Sequence, residues 1–321
     1  MISIRTDLAL EATEICEEQS TALDGVVVDT KELEDCTITT VEIINEIGSK
    51  IMNKEIGKYI TLESDLMKFD DDDSREKVIN YLKDELIEIF GTDQSKKTLI
   101  IGLGNWNITS DALGPRAVSK TLVTRHIFKN YNKDYDDDFS EVAALSPGVM
   151  GITGIETVEI VKSIVDKIKP DRVVAIDALA SRKMDRVNST IQISTGGIAP
   201  GGGVGNKRKA LDKSYLGVDV IAIGVPTVVD AATLTIDVLD LAIDNLIEVS
   251  QENSEFYKML TKLKKCKTLK EIYEMLGENF FEKTAMYIVM GWCLLPILSI
   301  FFHIRWVGMA EQTFMYRLNI L

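Results

Sequence analysis

Histidine is nearly absent from this chain: His126 and His303 are the only two in 321 residues. Serine, cysteine and zinc hydrolases usually rely on an imidazole as base or ligand, so those classes find little support here. Cysteine is almost as scarce. Cys16, Cys36, Cys266 and Cys293 form no CxxC or other metal-ligand spacing, and such usage fits a reducing, cytoplasm-like compartment. Positive charge is in deficit, with 36 Lys and Arg against 50 Asp and Glu, a net charge of −14 and a pI near 4.8. That balance weighs against binding DNA through its phosphates, which needs a basic face. The start, MISIRTDLALEATE, has no apolar stretch after its basic residue and so is not a secretory signal.

Phosphate-binding glycine patterns are also incomplete. GLGNWN has Gly102 and Gly104 but not the third glycine of the dinucleotide fingerprint. PGGGVGNKRKAL has four glycines before Lys207 and Arg208, yet Asn206 precedes the lysine and Arg208 stands where Ser or Thr belongs. This loop is either a mobile glycine segment or a flap whose basic end holds acidic substrate side chains. On the second view Lys207 and Arg208 are candidate substrate-binding residues, together with Arg182. A long apolar run without a formal charge occurs at TAMYIVMGWCLLPILSIFF, residues 284–302. A membrane span needs about twenty apolar residues, but Pro296 interrupts this one and the rest of the chain reads as soluble. A membrane anchor is therefore the lesser expectation beside a buried helix or a non-native chain end.

What the chain does have is a hydrophobic fraction of 45%, enough for a substantial core. Residues 1–65 are acidic and Thr-rich, with short runs such as GVVVDT and KYITLES that predict a small β-rich region. EKVINYLKDELIEIF carries apolar residues at helical spacing. An alternating pattern follows: TLIIGLG as a buried strand, PRAVSKTLVTRHIF as a helix, EVAALSPGV as a strand, GIETVEIVKSIVDKI as a helix and DRVVAIDAL as a strand. TIQIST alternates and predicts an edge strand or hairpin arm. VDVIAIGVPTVV is another buried strand, and AATLTIDVLDLAIDNLIEVS a long helix. Strands alternating with helices mean an α/β fold with a mostly parallel sheet covered on both faces. Residues 251–283 read as polar helices.

In such sheets reactive groups collect beyond the carboxyl ends of the strands. Asp111 follows the first strand by a short loop, and Asp177 lies at the end of RVVAID. As neighbours they would form a carboxylate pair, in which one proton is shared because both acids cannot ionise cheaply. The ionised member can take a proton from water, and the protonated one can donate to a leaving amine. The alternative is structural: Asp111 caps the following helix and Asp177 bonds a nearby loop. Asp230 is a third acid by the crevice, or a helix cap. Gly148, Gly151 and Gly154 in SPGVMGITGIET predict a close backbone approach to substrate or to a helix. His126, on a helix beside Arg125, predicts a surface or interhelix position.

GLGNWNITSDALGP, SPGVMGITGIET, AIDALASRKMDRVNSTIQIS, PGGGVGNKRKAL and VIAIGVPTVVDAATLT, in that order, resemble the germination protease family of spore-forming bacteria. The likeness runs from IRTDLALEATE to about residue 240. It implies an endopeptidase that starts the breakdown of small acid-soluble spore proteins during germination, in the cytoplasm of the forespore or spore core. It implies a three-layer sandwich like that of the hydrogenase-maturation peptidases. The implied mechanism is of aspartic type, with neither metal nor other cofactor, and its two aspartates fall at Asp111 and Asp177. The family is made as an inactive homotetrameric zymogen that removes its own N-terminal segment. Its substrates carry an acidic residue, then a large apolar one, then a small one. Thr6-Asp7-Leu8-Ala9 imitates that order, which predicts self-cleavage between Asp7 and Leu8. The resulting division is a propeptide at 1–7, a peptidase domain at 8–250, a helical region at 251–283 and an apolar tail at 284–321. From about Lys283 the chain departs from the family. Two other functions stay open: a non-catalytic nucleotide- or phosphate-binding regulator using the glycine loops, and a metal-dependent maturation peptidase on the same fold, which would need a histidine near the acids.

Overall fold

The computed structural model describes residues 6–18, 20–69, 71–91, 93, 95–130, 139–198, 210–229, 231–251 and 254–264. In chain order its elements are α1 (Ala9–Glu18), β1 (Val26–Glu32), β2 (Thr37–Ile43), α2 (Glu46–Met52), β3 (Gly57–Glu63), α3 (Asp72–Phe90), β4 (Thr98–Gly102), α4 (Leu113–Lys120), α5 (Arg125–Asn130), β5 (Val142–Leu145), α6 (Met150–Thr153), α7 (Thr157–Ile168), β6 (Arg172–Ser181), β7 (Thr190–Ser194), α8 (Lys213–Leu216), β8 (Asp219–Val229), α9 (Ala231–Val249) and α10 (Glu255–Lys264). The strands form one mixed sheet in the order β1-β2-β3-β7-β8-β6-β4-β5. The four strands from β8 to β5 run parallel, and the pairs from β1 to β8 are antiparallel.

Alternation along the strands builds a core on each face, giving an α/β sandwich of three layers. Val174 and Ile176 of β6 join Ile100 of β4 and Ile221 and Ile223 of β8 beneath Val78, Leu82, Leu86 and Phe90 of α3. Val173 and Ala175 face the other way, with Leu99 and Ile101, onto Val158, Val161 and Val165 of α7. On that same face of the antiparallel half, Ala9 and Cys16 of α1 and Met52 of α2 pack on Val41, Ile43 and Tyr59. Among the described residues α9 and α10 belong to a second unit, in which Ile243, Ile247 and Leu260 pack together.

The expected β-rich N-terminal region is present: β1, β2 and β3 extend the main sheet, accompanied by the helices α1 and α2. Three local expectations are revised. TIQIST is not an edge strand, because β7 lies between β3 and β8 and every residue of it is buried. The helix expected over PRAVSKTLVTRHIF is broken into α4 and α5. Thr124 stops it by exchanging bonds with the next strand, its N–H donating to the Val142 carbonyl (3.0 Å) and its Oγ1 accepting from the Val142 N–H (2.8 Å). The glycines of SPGVMGITGIET answer a turn rather than a close approach. Gly148 and Gly154 have φ near +76° and +71°, and a Cβ at Gly151 or Gly154 would meet nothing within 4 Å.

Candidate active site

The chain order of the parallel strands reverses at β4, which has β5 on one side and β6 on the other. Open α/β sheets bind ligands at such a reversal, beyond the carboxyl ends of the strands. Pairing between β4 and β6 ends at Gly102 opposite Ile176, so Asp177 is the first residue of β6 to project past the end of β4. The loop leaving β4 returns through a short 3-10 turn at Thr109–Asp111, which puts Asp111 over the same end. Two contacts hold that turn: the Thr227 hydroxyl of β8 donates to the Ser110 carbonyl (2.6 Å), and the Asn105 N–H lies 2.9 Å from the Asp111 Oδ2 that accepts it. Gly114 makes the close return possible, since a Cβ there would lie 2.2 Å from the Leu103 carbonyl oxygen and 2.4 Å from that of Ile176.

Asp111 and Asp177 line one cavity of about 630 Å³. Burial pushes the Asp177 carboxyl well above the usual carboxylate range, and the charge of Asp111 pushes it further, against one N–H bond from Ala178. Burial also raises Asp111, against the Asn105 N–H. Asp111 does not cap α4, whose cap residue is Ala112 with no side-chain bond. The capping alternative therefore fails for Asp111, while among the described residues Asp177 accepts the N–H of its own next residue, at 2.9 Å. A buried acid beside a second acid can hold a proton at neutral pH and hand it on.

The N-terminal segment forms part of the wall of this cavity, through Thr6 and Asp7. The Asp7 N–H donates to the Ala180 carbonyl of β6 (2.9 Å), and the Ala180 N–H donates to the Asp7 carboxylate (2.8 Å). Two residues on, the Ala9 N–H donates to Gln192 Oε1 of β7 (2.7 Å). The Asp7 carbonyl accepts from Lys54 Nζ (2.8 Å) and from Gln192 Nε2 (3.2 Å). The segment thus bridges β6 and β7 over the strand between them, β8. The residue of β8 in register with both Asp177 and Gln192 is Gly224. With strands about 4.8 Å apart, Asp177 and Gln192 stand about 10 Å apart across the sheet, and the Leu179 side chain fills the space over Gly224, where a Cβ would lie 2.5 Å from it. Asp7 is itself pushed up by burial, against the Ala180 N–H and the Lys54 charge, and its own charge adds to the raising of Asp177.

Behind the segment, α1 is anchored by charge. Glu11, fully buried, accepts the N–H groups of Arg182 (2.6 Å) and Lys183 (2.9 Å) and the hydroxyl of Thr6. Arg186 pairs with Glu14 through two bonds of 2.9 and 2.7 Å and with Glu63 at 2.6 Å. Desolvation works to raise Glu14, but the bonds from Arg186 and Lys183 outweigh it and hold the carboxyl low.

Of the residues singled out in the sequence, Asp111, Asp177 and Asp7 line the cavity, and Leu8 beside them is fully buried. Arg182 is not in that lining; its guanidinium binds Glu18 at 2.9 Å. Lys207, Arg208 and Asp230 lie outside the described residues, as does the apolar run at 284–302. His126 sits exposed on α5 and does not line the cavity. Among the described residues no three His, Cys, Asp or Glu gather to hold a metal, and no helix is long and apolar enough to cross a membrane. Lys54 and Gln192 were not expected. A lone lysine after a helix and a glutamine in an alternating strand carry no local mark of function; only the strand order brings them to the acids.

An α/β sandwich with a coupled acid pair at the strand reversal, and a peptide segment lying across it, defines a class of protein equipped to act on polypeptide. Comparison with known proteins narrows the class. A family model described as germination protease matches residues 4–292. The chain is 48% identical over 281 residues to a germination protease of Clostridium acetobutylicum, covering 86% of each chain. It is 47% identical over 277 residues to one of Clostridium tetani, with the same coverage. It is 50% identical over 244 residues to one of Bacillus mycoides, covering 74% of this chain and 66% of that one. The chain belongs to the germination protease family, a family of peptidases.

Proposed function

We propose that this chain is an endopeptidase that begins the degradation of small acid-soluble spore proteins during germination, using Asp111 and Asp177 as an aspartic-type pair. The observation that carries this is Asp7 lining one cavity with the two acids, bonded at its N–H, carbonyl and carboxylate. The pair holds one proton between them and titrates as a unit. In the reaction the ionised member takes a proton from water as the oxygen attacks the peptide carbonyl, and the protonated member delivers one to the leaving nitrogen. The Ala180 N–H and the charge of Lys54 receive an acidic side chain ahead of the cut bond. The chain is a zymogen that cuts itself between Asp7 and Leu8, and removal of residues 1–7 opens the cavity to other proteins. While attached, the segment competes at the high effective concentration of a tethered ligand. It works as a homotetramer in the forespore, with Lys207 and Arg208 available to hold acidic substrate side chains.

Incubation with a small acid-soluble spore protein, followed by mass mapping of the fragments, tests this. Cuts after acidic residues and before large apolar ones are expected, together with a mature chain that begins at Leu8. An active enzyme that keeps its Met1 start would remove the zymogen from the account, and full activity in Asp111→Asn or Asp177→Asn would remove the acid pair.

A further inference from the structure

The acids account for the attacking water and the departing amine, but not for the charge that gathers on the peptide oxygen between those events. Aspartic chemistry alone would ask the protonated acid to stabilise that oxygen and also to protonate the leaving nitrogen. Two other groups already point at it. Lys54 Nζ donates to the Asp7 carbonyl at 2.8 Å, and Gln192 Nε2 donates to the same oxygen at 3.2 Å. Gln192 also accepts the Ala9 N–H, so one amide grips the backbone on both sides of the Asp7–Leu8 bond.

The fold holds the backbones that carry the two donors. Gln192 is buried in the central strand β7, in register with Gly224 and thus level with Asp177. Lys54 leaves the left-handed cap of α2 at Asn53, and its backbone is fixed on both sides: its N–H donates to the Ser49 carbonyl (3.2 Å) and its carbonyl accepts from the Ser49 hydroxyl (2.7 Å). The lysine tip lies 5.9 Å from the centre of the Tyr59 ring. Burial pulls the Lys54 ammonium below its usual range, and the charges of Asp7 and Glu11 oppose that pull. Donors fixed in advance and aimed at developing charge need no reorganisation when the reaction occurs, which makes this kind of stabilisation large.

We propose that Lys54 and Gln192 form the carbonyl-stabilising site of this peptidase, the counterpart of an oxyanion hole. This rests on the reading that the Asp7–Leu8 bond is cut by the Asp111–Asp177 pair. The water oxygen bonds to the Asp7 carbonyl carbon as its proton passes to the pair, and the π electrons move to the oxygen held by Lys54 and Gln192. The tetrahedral species then collapses: the carbonyl re-forms, the C–N bond breaks and the pair protonates the Leu8 nitrogen. A carboxyl group at Asp7 and an amine at Leu8 result. When residues 1–7 leave, the same two donors are free to receive the carbonyl of an acidic residue in another protein.

The test follows self-cleavage of the full chain by mass, with Lys54→Met and Gln192→Glu as variants and hydrogen exchange of residues 6–10 as a second readout. Lys54→Met keeps the stem and removes the donor; it is expected to cut about 10²–10³-fold more slowly while the backbone amides of residues 6–10 stay as protected as in the parent chain. Gln192→Glu keeps an acceptor for Ala9 and loses the donor; about a tenfold loss is expected. Cleavage of Lys54→Met at the parent rate overturns the proposal. So does a slower rate accompanied by loss of protection, since Lys54 would then only seat the segment. If Lys54→Met does not fold by circular dichroism, Gln192→Glu decides, and an unchanged rate there overturns the proposal. A parent chain that never yields a Leu8 start defeats the underlying reading and the proposal with it. An unslowed variant beside a normally processed parent defeats the proposal alone.

Discussion

In the half of the sheet built from β8, β6, β4 and β5 the strands run parallel, and its chemistry-bearing groups lie where strands end: Asp177 just past the end of β4, and Asp111 on the loop that leaves β4. In the half built from β1, β2, β3 and β7 the strands are antiparallel, and the groups facing the cavity come from the middle of a strand, Gln192, or from the turn before one, Lys54. The first half concentrates buried negative charge that its surroundings do not neutralise. The second surrounds its carboxylates with partners, Glu14 and Glu63 on Arg186 and Glu11 on two backbone N–H groups. The contrast teaches that strained ionisation is placed where the reaction would occur, and satisfied ionisation where a segment must be held.

Four experiments would break or sharpen that contrast. The largest effect is expected in the parallel half: Asp111→Asn or Asp177→Asn should lower turnover of a spore-protein substrate by about 10³-fold or more, as loss of general acid–base catalysis does. Full activity in either would end the division of labour. Next comes the antiparallel half. Arg186→Met leaves Glu14 and Glu63 without their shared cation, and chemical denaturation should show a loss of about 3–5 kcal/mol at pH 7. Third, Gly114→Ala drives a Cβ into the backbone carbonyls of Leu103 and Ile176; about 2 kcal/mol of stability should be lost, with activity falling as Asp111 shifts.

The smallest effect carries the most pointed comparison, because the two halves should respond to pH with opposite sign. Asp177 is raised in the folded state, first by burial and then by Asp111. Its ionisation therefore opposes folding as pH climbs from the unfolded value of about 3.9 through the raised folded one. Asp177→Asn should melt a few degrees higher than the parent at pH 7, and the gain should vanish below about pH 4. Glu14 is lowered in the folded state, so its contribution is present above an unfolded value of about 4.3 and is lost on acidification. The cost of Arg186→Met should shrink over that range. Melting curves of both variants between pH 3 and pH 7 would show the two trends, and parallel trends would refute the contrast.

Legibility in the sequence followed how local each signal was. β4, β6 and β8 announced themselves as continuous apolar runs, because strands buried on both faces need apolar residues at every position. α3 and α7 were legible from their 3.6-residue stripes. α1 was not, because its buried face includes Glu11 and Thr13 beside Ala9 and Cys16, and a buried carboxylate satisfied by distant N–H groups hides the stripe. β7 alternates like an edge strand, yet its polar face is buried as well: Gln192 and Ser194 point into the cavity rather than to water. Asp111 and Asp177 were legible as acids at strand ends that would pair if their strands were neighbours, and the strand order makes β4 and β6 neighbours.

By itself the sequence determined the element types, the layered α/β class and the residue types able to do acid–base work without histidine, since side-chain periodicity and turn chemistry act over a few neighbouring residues. The tertiary structure alone decided which acid faces which, and that Lys54, Gln192 and Asp7 meet them. Those encounters depend on the reversal at β4 and on the register that sets Gln192, Gly224 and Asp177 in one row. Order and register come from the packing of the whole sheet, and no short stretch of chain encodes them.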